Sequence, residues 1–250
     1  MPDTKDTNSN LIMGRHPVQE ALAHGRQIEK ILALKNGTGS VKQILARAGE
    51  RGIRIRYVER SELDRLAGGV RHQGVIAYAV PYRYSSVEDM LKLAAHRGED
   101  PFLILLDNIE DPHNLGAVMR SAECAGAHGV VISRDRSCGL NETAARTSAG
   151  AVEYLPCARV TNMSRTIESL KKAGLWIAAS DMDGDLYTAA NLRGPLALVI
   201  GSEGRGISRL VKEKCDFTVS IPMRGRIESL NASNAAAVLM YEVRRQRDAE

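Results

Sequence analysis

Aromatic residues are scarce in this chain: two Phe, one Trp and seven Tyr make up only 4% of 250 residues. That argues against a partner gripped by extensive base stacking, which needs successive aromatic platforms. Cysteine is sparse too. Cys124, Cys138, Cys157 and Cys215 stand apart with no CxxC pair, so no disulfide framework is expected, only reduced thiols in a cytoplasmic protein. The six histidines include no HExxH, and no Cys/His cluster has zinc-finger spacing, so no metal is expected. No apolar run approaches the roughly eighteen residues of a membrane-crossing helix. The polar start MPDTKDTNSN contains no signal-peptide core. A GxxxxGK[ST] loop is missing as well, which removes a nucleoside triphosphate site of that kind.

What is present is ordinary for a folded chain: 44% hydrophobic and 26% charged residues, in a length that accommodates two compact domains. The net charge of +4 is unevenly spread. Residues 1–98 carry 16 Lys and Arg against 10 Asp and Glu, whereas the remainder carries 18 against 20. A front domain that holds a polyanion, followed by one with another task, has this distribution. A solvated arginine-rich face has it too.

The pattern divides the chain into a disordered tail (1–10), a small α/β domain (11–82), a linker (83–100) and a larger α/β domain (101–250). In the small domain a helix from Pro17 to His24 stops at Gly25, and IEKILAL reads as a strand. Ser40 caps the helix that follows, IRIRYV alternates as a strand, a short helix lies near Ser61–Leu66, and GVIAYAV closes the unit. Pro81 and Pro101 bracket the linker, with a capping-box start at Ser86 and Asp89. From Phe102 onward strands and helices alternate. FLILLDN, GVVIS, LWIAAS, LALVIG and FTVSIP are runs of the kind found in buried parallel strands. A long helix over 231–247 ends the chain.

Three stretches carry candidate chemistry. GSEGRGIS (201–208) directly follows the strand LALVI. Its GxxGxG spacing differs from the dinucleotide fingerprint, and it comes late in the chain, so it reads either as a ligand loop or as a structural turn. In DNIEDPHNLGAVMRSAECAGA (107–127) a strand ends at Asp107-Asn108, Asn114 can cap a helix, and Arg120 wants an anion or its neighbour Glu123. In VSIPMRGRIESLNASNAAAVLMYE (219–242) a strand enters a loop through Pro222, and Glu228, Ser229 and Asn231 precede an Ala-rich helix. Ser229 has no His/Asp partner at a hydrolase spacing.

Taken together, NLGAVMRSAECAGAHGV, LVIGSEGRGIS and SIPMRGRIESLNASNAAAVLMYE closely resemble the three signature motifs of the SpoU class (TrmH-like) of SPOUT methyltransferases. TSAGAVEYLP (147–156) resembles that family as well. MGRHPVQEAL and RHQGVIAYA look like the N-terminal RNA-binding domain of its 23S rRNA guanosine 2′-O-methyltransferase branch.

The resemblance implies an α/β catalytic domain closed by a deep trefoil knot and preceded by a ribosomal-protein-like RNA-binding domain. It also implies a homodimer, S-adenosylmethionine as cofactor, and methyl transfer to a ribose 2′-hydroxyl, with a guanosine of 23S rRNA as the target. No DNA or membrane partner is implied. Gly201, Ile221 and Leu230 match cofactor-holding positions, with Gly204 and Met223 beside them. Arg120 matches the catalytic arginine, Asn114, Ser229 and Asn231 the polar motif positions, and Glu203 the motif acid that supports the loop. Arg54, Arg56, Arg60, Arg71 and His72 are phosphate contacts by type. A tRNA 2′-O-methyltransferase and a non-catalytic RNA-binding ribosome-assembly factor are the alternatives. A dinucleotide-dependent oxidoreductase would rest on the glycine loop alone.

Overall fold

The computed structural model describes residues 11–249, apart from 24, 25, 36, 38 and 81. The expected tail, the helix stop at Gly25 and the bracketing Pro81 therefore lie outside the described residues. The chain divides into two compact units between Tyr82 and Arg83.

The front unit runs β1 (Leu11–Met13), α1 (Arg15–Ala23), β2 (Ile28–Leu34), α2 (Ser40–Glu50), β3 (Arg54–Val58), α3 (Arg60–Ala67) and β4 (Val75–Ala79). Its four-stranded sheet has the order β1-β4-β2-β3, with β2 parallel to β3 and the other pairs antiparallel. Successive side chains on a strand point to opposite faces. Val75, Ala77 and Ala79 accordingly join Val18, Leu22, Ile44 and Ala48 from α1 and α2 in one core. Ile76 joins Leu32, Val58 and Leu63 in the other. Ser40 is the first helical residue of α2, not its cap; Gly39 holds the cap position. The three-residue β1 is too short to show a period.

The back unit continues with α4 (Val87–Arg97), β5 (Phe102–Asp107), α5 (Pro112–Cys124), β6 (Gly129–Ser133), α6 (Glu142–Thr147) and β7 (Cys157–Val160). Then come α7 (Met163–Lys172), β8 (Trp176–Leu186), β9 (Leu196–Gly201), α8 (Arg209–Lys212), β10 (Phe217–Ser220) and α9 (Ala232–Asp248). The six strands lie in the order β10-β8-β9-β5-β6-β7 and pair in parallel throughout. Both sheet faces are covered, which explains the unbroken apolar runs. Phe102, Ile104 and Leu106 pack toward α5 and α9, while Leu103 and Leu105 pack toward α4 and α7.

Residues 83–100 are not a linker. The capping box at Ser86 and Asp89 forms as expected, but the helix it starts, α4, buries Met90 and Ala94 completely. A Cβ on Gly129 of β6 would overlap the Met90 side chain. The segment belongs to the core of the back unit.

The strand order reverses beside β5. The chain builds outward through β6 and β7, then returns to lay β9 along the other edge of β5, with Asp107 opposite Gly201. Ligands of open parallel sheets bind beyond the carboxyl ends of the strands at such a switch point.

Candidate active site

Beyond β9 the chain turns back at once. Ser202 and Gly206 exchange two backbone hydrogen bonds of 3.1 and 2.9 Å, closing a tight hairpin around Glu203, Gly204 and Arg205. A Cβ on Gly201 would run into the backbone of Gly206 and Ile207, and Gly206 has φ +63°. Those two glycines are therefore required by the chain itself. Gly204 is not: a Cβ there would meet nothing within 4 Å. The buried Asp107 at the end of β5 accepts the Ser208 N–H at 2.7 Å, which ties the far end of the hairpin to the neighbouring strand.

Asn114 does not cap α5. Asp111 does, accepting the His113 N–H at 2.8 Å, with Pro112 at the first helical position where its missing N–H is harmless. Asn114 lies one turn inside, buried, and its amide Nδ2 donates to Glu203 Oε1 at 3.0 Å. Asn231 Nδ2 donates to Asn114 Oδ1 at 2.9 Å and also to Glu203. Through its own Oδ1, Asn231 caps α9 by accepting the N–H groups of Ser233 and Asn234. The three motifs thus meet in one polar triad. Its members are 89, 117 and 28 residues apart in the chain.

A cavity of about 450 Å³ opens beside this triad, within the roughly 300–1,000 Å³ usual for small-molecule sites. Gly201, Gly204, Ile221, Met223, Ser229 and Leu230 line it, together with Glu203. All five expected cofactor-holding residues share this one cavity. Glu228 of the third stretch lines it too, as do Asp181 and Met182, which the sequence does not single out because β8 carries no local motif. Burial pushes the Asp181 carboxyl up, but the Lys212 ammonium at 2.8 Å more than offsets it and holds the group below its ordinary value. Aliphatic side chains on the wall and three carboxylates at the edge suit a flat apolar group joined to a cation. A second cavity of about 390 Å³ lies across the same hairpin, lined by Asn108, Asp111, Asn114 and Arg136.

Arg120 is exposed. Six residues beyond Asn114, it projects from α5 some 240° around the helix. Among the described residues it has no ion-pair or hydrogen-bond partner, and the contact expected with Glu123 does not form. Ser229 is exposed on the cavity wall.

In the front unit Arg54, Arg56, Arg60 and Arg71 are exposed. Arg56 lies 3.5 Å from Glu62, and Arg60 lies 3.9 Å from Asp64. His72 is a correction: it is buried and both ring nitrogens are engaged. Nδ1 accepts the Gly74 N–H at 3.0 Å and Nε2 donates to Asp64 at 2.8 Å, which leaves neither for a phosphate. Burial pushes the Cys138 thiol up to about 11, and the Cys157 and Cys215 thiols up to about 12. Among the described residues no group of three or more His, Cys, Asp or Glu is arranged to hold a metal ion. No helix there is long and apolar enough to cross a membrane.

A parallel sheet with a ligand cavity at its switch point and a motif triad on the cavity edge defines an α/β ligand-binding domain of the methyltransferase kind. The chain belongs to the SpoU rRNA methylase family, whose model matches residues 101–241. It is an RNA methyltransferase of that family, which uses S-adenosylmethionine. A second model, RNA 2′-O ribose methyltransferase substrate binding, matches residues 11–85. A TrmH-family tRNA/rRNA methyltransferase of Bacillus subtilis (strain 168), YacO, is 45% identical over 95% of this chain and 96% of its own. Among solved structures, the SpoU methyltransferase AviRb of Streptomyces viridochromogenes in complex with the cofactor AdoMet aligns with a TM-score of 0.67. The identity is 26%, over 99% of this chain and 94% of that one. An AdoMet-bound rRNA methyltransferase from Sinorhizobium meliloti aligns with a TM-score of 0.65 at 26% identity, over 96% and 88%.

Proposed function

We propose that this protein methylates a ribose 2′-hydroxyl in RNA from S-adenosylmethionine, with a guanosine of 23S rRNA as its target. The observation that carries the reading is the meeting of Asn114, Glu203 and Asn231 at the edge of the cavity lined by Gly201, Ile221 and Leu230. The cavity suits the cofactor: its aliphatic side chains would hold the adenine, and Asp181, Glu203 and Glu228 would offset its positive charges. When bound, the cofactor supplies a methyl group already activated by the sulfonium.

The chain's own residues then align the acceptor, because a 2′-hydroxyl is a poor nucleophile unless held in line. Arg120 clamps the neighbouring phosphate and orients the hydroxyl. Its guanidinium stays protonated, so it acts by charge and position, not as a base. Asn114 and Asn231 hold the Glu203 carboxylate still, and Ser229, which lines the same cavity, positions the ribose. The front unit grips the RNA. A deep trefoil knot in the back unit, a homodimer that places Arg120 beside a partner copy, and a cytoplasmic location complete this reading.

The test is transfer of labelled methyl from S-adenosylmethionine to unmodified 23S rRNA, 16S rRNA and bulk tRNA in parallel, with mapping of the product. Label on a 23S guanosine ribose is the expected result. Label on tRNA keeps the chemistry and overturns the target. In Arg120→Ala transfer should be abolished while cofactor affinity, measured by calorimetry, stays within about twofold. Loss of both together would contradict the assigned role.

A further inference from the structure

The front unit contains a cavity of about 640 Å³ that the reading above leaves without a task. Leu34, Val41 and Val70 line it with aliphatic side chains, Val70 being 57% exposed. Three arginines, Arg15, Arg60 and Arg71, line it as well.

Hydrogen bonds tie down the turn before β4 that lines the cavity. His72 has one ring nitrogen bound to the Gly74 N–H and the other to Asp64. Gln73 adopts φ +51° and is pinned by Arg15, whose backbone N–H donates to Gln73 Oε1 and whose Nε donates to the Gln73 carbonyl, both at 3.1 Å. One carboxylate, Asp64, lines the cavity with the three arginines: its Oδ1 is held by His72 and its Oδ2 lies 3.9 Å from Arg60. The Arg71 guanidinium has no hydrogen-bond or ion-pair partner among the described residues. Residues 1–82 as a whole carry 13 Lys and Arg against 8 Asp and Glu.

Aliphatic and cationic side chains lining one cavity match a base joined to a phosphate. We propose that this cavity receives one unpaired nucleotide of the substrate RNA. Its base lies on Leu34, Val41 and Val70, and its phosphate on Arg60 and Arg71. The proposal rests on the reading that the chain acts on RNA, and adds where the front unit grips it. An aliphatic seat also accounts for RNA recognition in a chain so poor in aromatics. A base within an A-form duplex is stacked inside and out of reach of such a pocket, so the site selects loops, bulges and ends.

The test is binding of a labelled short single-stranded RNA to the full-length protein, followed by fluorescence anisotropy, with the blunt duplex of the same sequence alongside. Arg71 and Val70 are exposed, so Arg71→Ala and Val70→Glu should leave the fold intact. Arg51→Ala is the control: it removes an equal charge at the far end of α2, about 16 Å from the cavity end of that helix. Arg71→Ala and Val70→Glu should each weaken single-strand binding by about tenfold, and Arg51→Ala by about twofold or less. The duplex should respond equally weakly to all three.

An equal effect of Arg51→Ala and Arg71→Ala would reduce the site to diffuse charge and overturn the proposal, as would no effect at all. Adenosine 5′-monophosphate should displace the single strand where the same concentration of inorganic phosphate does not; equal displacement would overturn the aliphatic seat. A wild type that binds no S-adenosylmethionine and methylates no RNA would contradict the parent reading without touching these comparisons. A wild type that methylates while the cavity variants bind as it does would contradict this one alone.

Discussion

Asn114 and His72 show how a residue's work depends on what comes to it from elsewhere. Polar residues crowd the start of α5, and the sequence reads Asn114 as its cap. Pro112 marks the true first position, which sends Asn114 inward to meet Glu203. His72 follows an arginine in a basic stretch and reads as a phosphate contact, yet its ring is buried against Asp64. His128 is a third case. It is fully buried, accepts the Phe102 N–H at 3.0 Å and donates to Glu99 at 3.0 Å. Burial holds its pKa below the ordinary 6.5 against the pull of Glu99, and Arg97 and Arg247 push the same way as burial. The unfolded chain therefore takes up a proton that the folded chain resists. The His128 contribution is complete above pH 6.5 and is lost as the pH falls from there toward the lower folded value. Thermal melts should show a falling Tm over that window, and His128→Gln should flatten the slope while lowering Tm overall. An unchanged slope would mean that other groups carry the pH dependence.

The hairpin after β9 separates two reasons for being glycine. Gly201 has no room for a side chain because the backbone of Gly206 and Ile207 presses on it. Gly201→Ala should therefore cost about 1–3 kcal/mol, in line with forced overpacking, and lower Tm. Gly204 has open space around it, on the side of the cavity. Gly204→Ala should leave Tm unchanged and weaken S-adenosylmethionine binding in calorimetry. A Gly204→Ala protein that binds normally would place the cofactor elsewhere in the cavity. Elements were legible where a pattern was long enough to repeat. FLILL and LALVI announce two-sided burial, and Ser86 with Asp89 announces a helix start. β1 and β7 were not legible, being three and four residues long. α4 was read as a linker because prolines flank it, and nothing local tells that Met90 will press against Gly129.

At the level of the whole molecule, Tyr154, Val238 and Tyr241 are among the large apolar side chains that the cores of the back unit leave exposed. Two of them lie on α9, the helix that Asn231 caps, and their exposure supports the proposed homodimer. Sedimentation should give twice the monomer mass, and Val238→Arg combined with Tyr241→Glu should give monomers with reduced methyl transfer. Monomeric wild-type protein with full activity would remove the partner copy from the site.

The sequence by itself determined most of the longer strands and helices, the division into two α/β units, the placement of positive charge in the front unit and the three motifs. Each of these is written in neighbouring residues, as periodicity, caps or composition. Only the tertiary structure decided that Asn114, Glu203 and Asn231 touch. Their meeting depends on β9 returning to pair with β5, a contact across about ninety residues of chain that no local propensity encodes. It likewise decided which arginines share a cavity, because Arg15, Arg60 and Arg71 come together only when the start of α1, α3 and the turn before β4 are packed on one sheet.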